Sequence, residues 1–142
     1  MTAPPGAAAG ARLLAPVRPI FRAVVTTVVP EATQLTEPAW QEVEAIVEQA
    51  LALRPPRMRR QVVLFLRVLD ALARGRHLRG FAALDEARRT ELLTALQDGP
   101  VGLLRRGAWG VRTLSLMGYY ARPAAAAAIG YRADPRGWDA RP

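Results

Sequence analysis

This 142-residue chain has no cysteine, no lysine and no asparagine, and only one serine and one histidine. Without cysteine there is no disulfide, no thiolate nucleophile and no Cys-based zinc or iron–sulfur site. Without lysine there is no standard phosphate-binding loop, and no Gly-rich dinucleotide fingerprint follows a strand pattern. Ser115 and His77 are the only residues that could make a Ser–His pair. No G-x-S-x-G elbow surrounds Ser115, which lies in an apolar run and reads as a small packing residue, with His77 in a loop. A metal site would need carboxylates almost alone, and no clustered carboxylate motif is present. No window holds the roughly 18–20 uninterrupted apolar residues that span a membrane. The strongest, "VVLFLRVLDALA" from Val62, contains Arg67 and Asp70 and reads as a buried helix. No secretory signal is visible at the N-terminus. Cytoplasmic residence is the expectation, with co-export on a partner as the other route.

The hydrophobic fraction is 51% and the charged fraction 23%, which suit one globular domain. The net charge of +8 raises nucleic acid or an anionic surface as a partner. Two features count against it. All 20 basic residues are arginine, in a composition rich in alanine, and the charge falls in blocks. Residues 31–53 hold five acids and no arginine; residues 54–82 hold eight arginines and one aspartate. This is no single stripe with interleaved aromatics. Arg54, Arg57, Arg59 and Arg60 could bind an anion, but a solvated helix start is the simpler reading.

The organisation is all-α: five or six short helices around one central apolar helix, with an irregular aromatic C-terminal tail. Residues 1–16 read as a flexible segment, 17–131 as the helical domain and 132–142 as the tail. In 17–30 the spacing of Ile20, Val24, Val25 and Val28 fits a helix face, and Pro30 ends it. Thr36 caps a helix with Pro38 in its first turn and a face of Trp40, Val43, Val47 and Leu51. Glu42, Glu44 and Glu48 are expected mostly off that face. Pro55 and Pro56 force a stop. The helix over about 57–74 is apolar on nearly all sides and is expected to be the central one, closed by Gly75 at its C′ position. Residues 75–84 read as a loop. Asp85 caps the next helix, with Leu92, Leu93 and Leu96 on its face, and Gly99-Pro100 breaks it. The carboxylate pairs Asp85/Glu86 and Glu44/Glu48 are read as capping and solvation, not acid–base chemistry.

The segment from Val101 to Ala121 is helical but carries Gly107, Gly110 and Gly118, which imply close approach of another backbone or a bend. Pro123 starts a short helix over Ala124–Ile129 and Gly130 ends it. Five of nine aromatic residues lie in the last 34 positions: Trp109, Tyr119, Tyr120, Tyr131 and Trp138. Arg105, Arg106, Arg112, Arg122, Arg132 and Arg136 accompany them. Tyr, Trp and Arg are the residues of protein interfaces, so the five aromatics with Arg112 and Arg132 are the candidate partner-binding set. The tyrosines serve equally well as the rim of the chain's own core; Trp138, in a short polar tail, favours an interface.

The run "LRRGAWGVRTLSLMGYYARPAAAAAIGYRADPRGW", residues 104–138, combines an apolar helix, an aromatic pair, a proline-led short helix and Ile-Gly-Tyr. With "FAALDEARRTELLTAL", residues 81–96, it resembles the gluconate 2-dehydrogenase subunit 3 family. It is also similar to the helical region ahead of the flavin domain in long-chain fatty alcohol oxidases. The resemblance implies a non-catalytic accessory subunit that binds no cofactor itself. Its partner would be a separate FAD-dependent oxidoreductase of the glucose–methanol–choline type, acting on an alcohol, sugar or sterol-like substrate. The other reading is a basic helical nucleic-acid-binding or regulatory domain. Many small subunits of the family carry a twin-arginine signal, and this chain shows none.

Overall fold

A computed structural model describes residues 13–128. Among these residues six α-helices follow one another: α1 (Arg18–Val28), α2 (Glu37–Ala52), α3 (Pro56–His77), α4 (Glu86–Gln97), α5 (Gly102–Tyr120) and α6 (Pro123–Ala128). Short 3₁₀ turns at Ala15–Val17, Pro30–Gln34 and Phe81–Ala83 link or precede them. No strand occurs among the described residues, and the all-α expectation holds. Ile129, the expected last residue of that final helix, and Gly130, expected to end it, lie outside the described residues.

The helix ends follow local chemistry. Val29 is extended (φ −126°, ψ 91°) because the following Pro30 disfavours a helical conformation there. Thr36 caps α2, its Oγ1 accepting from the Ala39 amide at 3.4 Å. Asp85 caps α4 more tightly, its Oδ1 accepting from the Arg88 amide at 2.8 Å.

Phe21, Val24 and Val25 of α1, Val43 and Val47 of α2, Leu66 and Leu69 of α3, Leu92 and Leu93 of α4 and Val111 of α5 form one core. Each fully buried side chain of this size contributes about 1.5–3 kcal/mol. The core reaches back to Leu14 and Val17, both fully buried.

The central position belongs to α5, not to the apolar helix over 57–74. α5 packs against α1, α2, α3, α4 and α6. Its inward residues are small. A Cβ on Gly107 would overlap the Phe65 ring, and one on Gly118 would lie 2.8 Å from Val47 Cγ2 and 3.2 Å from the Val43 carbonyl oxygen. Small side chains bring helix axes together, and this is what lets one helix touch five others. α3 buries only Phe65, Leu66, Leu69 and Ala73 and leaves Leu64 58% and Met58 45% exposed. Apolarity around a helix therefore marks here a second face without a neighbouring helix among the described residues.

α3 also runs past Gly75 to His77, and its left-handed terminal residue is Leu78 (φ 61°, ψ 18°), not a glycine. The loop that follows is pinned at both ends. Asp70 Oδ1 accepts from the Phe81 amide at 2.9 Å, and a Cβ on Gly80 would come within 2.8 Å of that oxygen. Arg89 of α4 donates to the carbonyls of Phe81 (3.3 Å) and Ala82 (2.6 Å) and to Thr26 Oγ1 of α1 (3.3 Å). Phe81 is thereby held fully buried.

Candidate partner interface

Two helices present apolar side chains outward along facing stripes. On α5 they are Leu103, Leu104, Trp109 and Leu114; on α3, Met58, Val62, Leu64 and Val68. Between them runs an open groove of about 680 Å³. Phe65 lies in its floor against Gly107, and Leu51 and Arg54 close one end. Trp109 is 48% and Leu103 67% exposed. An apolar trough of this size rimmed by polar residues is the usual form of a binding surface.

The candidate residues fall into separate places. Trp109 and Arg112 sit together on α5, one turn apart, with the Arg112 guanidinium carbon 5.7 Å from the Trp109 ring centroid. Arg112 also reaches Gln97 Oε1 of α4 at 3.4 Å. Tyr119 and Tyr120 lie ten residues further along, about 15 Å at 1.5 Å per residue. Both are half-buried against the core, their ring centroids 4.9 Å apart at 82°. Tyr131, Arg132 and Trp138 lie outside the described residues.

Arg122, one of the accompanying arginines but not one of the seven candidates, belongs with the tyrosines. It is 5% exposed, its guanidinium carbon lies 4.7 Å from the Tyr119 ring centroid, and its Nε donates to the Tyr119 carbonyl oxygen at 3.2 Å. Ala125 of α6 is also buried. The alanine helix thus packs closely against this chain through at least one methyl group.

Ser115 is fully buried, and its hydroxyl donates to the Val111 carbonyl oxygen at 2.7 Å. His77 is half-buried at the end of α3 rather than in a loop.

The carboxylate pair on α2 is placed differently from expectation. Glu44 and Glu48 are 5% and 6% exposed, on the packed side of the helix, while Glu42 faces solvent. For Glu44 the cause is Arg22 on α1. Its Nε donates to Glu44 Oε1 at 2.8 Å, and its two terminal nitrogens fork onto Glu37 Oε1 and Oε2, each at 2.8 Å. Its guanidinium carbon also lies 5.2 Å from the Trp40 ring centroid. Arg18 Nε lies 3.2 Å from Glu44 Oε1 but makes no hydrogen bond. Paired in this way, a carboxylate tolerates burial. The hydrogen bonds to Glu37 and Glu44 hold the Arg22 pKa well above its ordinary value, and the Arg22 fork lowers that of Glu37. Glu48 has no such fork. Burial, then the neighbouring Glu44 charge, push its carboxyl up to about 7, against the Arg18 charge and a backbone hydrogen bond from Leu14. The surrounding recess of about 280 Å³ is lined by these same charged groups. Sequence reasoning missed it because its partner residues lie on α1, 22 positions away.

A family model for gluconate 2-dehydrogenase subunit 3 matches residues 18–138. The chain belongs to that family. The match runs from the first residue of α1 through every helix described above, so the resemblance carried by residues 81–96 and 104–138 extends over the N-terminal half as well. Neither the curated proteins nor the solved structures contain a match. As a gluconate 2-dehydrogenase subunit 3 protein, the chain is of a kind that serves as one subunit of a multi-subunit dehydrogenase. Among the described residues no helix is long and apolar enough to cross a membrane.

Proposed function

We propose that this chain is a non-catalytic accessory subunit that binds and stabilises a separate FAD-dependent oxidoreductase of the glucose–methanol–choline type. That partner would act on an alcohol, sugar or sterol-like substrate and would carry the flavin. The observation that carries the reading is the family match over residues 18–138, which names a subunit. The groove between α3 and α5 supports it, because an exposed apolar trough with a tryptophan on its wall suits a protein partner. Should the complex work outside the cytoplasm, this chain would travel with its partner.

The test is co-expression with a glucose–methanol–choline-type flavoprotein from the same organism. The large subunit is expected to lose solubility, FAD content and activity when this chain is omitted. Equal solubility, flavin loading and activity without it would remove the accessory role.

A further inference from the structure

Gly110 is a glycine that the described fold does not require. It lies mid-helix in α5 and is exposed, and a Cβ built on it meets no atom within 4 Å. Gly107 and Gly118 differ: each is pressed against a neighbouring helix. A mid-helix glycine weakens a helix relative to alanine, so Gly110 is a cost that packing within the described chain does not offset. It opens onto the groove between α3 and α5, beside Trp109.

The groove has a definite shape and charge. Its walls run from Met58 to Val68 and from Leu103 to Thr113, about 15 Å each. That length takes two to three turns of helix. Among the described residues its lining includes Arg54 and Arg106 and no carboxylate. A notch at Gly110 lets an incoming backbone approach α5 closely, as small residues do wherever helices pack at short range. Apolar walls demand large aliphatic or aromatic anchors, and the arginines demand acidic flanks.

We infer that the groove receives an amphipathic helix of the catalytic partner. Its apolar anchors face Phe65, Leu104 and Trp109, its backbone passes over Gly110, and its acidic residues meet Arg54 and Arg106. This rests on the accessory-subunit reading above and specifies where and how that subunit is held.

The test uses the full chain and a glucose–methanol–choline-type flavoprotein from the same organism, with binding measured by titration calorimetry. Gly110→Ala and Gly110→Leu are compared with the unaltered chain, and Arg54→Glu is combined with Arg106→Glu. Gly110→Ala is expected to raise the melting temperature of the isolated chain while weakening the complex. Gly110→Leu is expected to weaken it by about 30-fold or more, the scale of an interface hot spot. The double charge reversal is expected to weaken it about 10-fold at low salt, less at high salt. A photo-cross-linker at Thr113 is expected to capture a flavoprotein helix bearing apolar and acidic residues. A complex of unchanged affinity with Gly110→Leu overturns the groove assignment and leaves the accessory reading standing. Cross-linking to a second copy, or to another part of the same chain, overturns it too. No complex with the unaltered chain removes the accessory reading itself, and the groove assignment with it.

Discussion

The backbone of Gly107 lies against the ring of Phe65, so closely that a Cβ on the glycine would come within 2.8 Å of the ring Cγ and nearer still to Cδ2. One turn on, Gly110 has open space. The same substitution at these two positions should therefore have opposite signs. Gly107→Ala must displace a buried aromatic ring and should cost about 1–3 kcal/mol, the usual range for overpacking. Gly110→Ala should stabilise the isolated chain by up to about 1 kcal/mol. Chemical denaturation of both variants checks this. If Gly107→Ala costs nothing, Phe65 is not wedged as described. Phe65→Leu in the Gly107→Ala background should recover part of the loss, because the two sites are in contact and couple.

Arg22 should be indispensable to the α1–α2 junction. Arg22→Ala leaves the buried Glu44 without its hydrogen-bonded partner and frees Glu37. The expected loss is about 2–3 kcal/mol, below a fully buried pair because the Arg22 side chain is 22% exposed. Arg22→Lys should not restore it, since an ammonium cannot fork onto Glu37 and also reach Glu44. Thermal melts of the two variants decide the matter; full rescue by lysine would mean that charge alone is needed.

Glu48 makes stability depend on pH. Its folded-state pKa is raised to about 7 from an ordinary value of 4.5. Between those values the folded chain holds a proton that the unfolded chain has released, so stability falls as pH rises through that window and is level above it. Glu48→Gln should flatten the fall and leave the variant more stable than the unaltered chain at pH 8. Glu37 acts oppositely: its lowered pKa gives a contribution that is present at neutral pH and lost on acidification. Melting temperature against pH from 4 to 8 for both chains is the measurement. A parallel pair of curves would show that Glu48 does not titrate in this window.

Leu78 holds a left-handed conformation (φ 61°) at the end of α3 and is 90% exposed. It has strain to lose and almost no burial. Leu78→Gly should stabilise the chain by about 1 kcal/mol. Gly75, inside the same helix with open space around it, should gain a similar amount on replacement by alanine. A destabilising Leu78→Gly would mean that the Leu78 side chain is packed rather than exposed.

Trp109 is half exposed, so its removal should affect assembly more than folding. Trp109→Ala should leave the melting temperature of the isolated chain within a few degrees and weaken the complex with the flavoprotein by about 30-fold. Equal loss in both measurements would assign the ring to this chain's own stability.

The all-α class and most helix boundaries were legible in the sequence, because the interactions that make them span only a few residues. Pro30 stops α1 through the residue before it, Thr36 and Asp85 cap helices through amides three positions on, and Pro55–Pro56 separates α2 from α3. What only tertiary structure decided was which faces meet. Periodicity identifies an apolar side without naming its neighbour, so α3 reads as central although its Met58, Val62, Leu64 and Val68 form the wall of a groove. The inward turn of Glu44 depended on an arginine 22 residues away. The three glycines of α5 are alike in sequence; only their surroundings separate Gly107 and Gly118, which are pressed by neighbours, from Gly110, which faces open space.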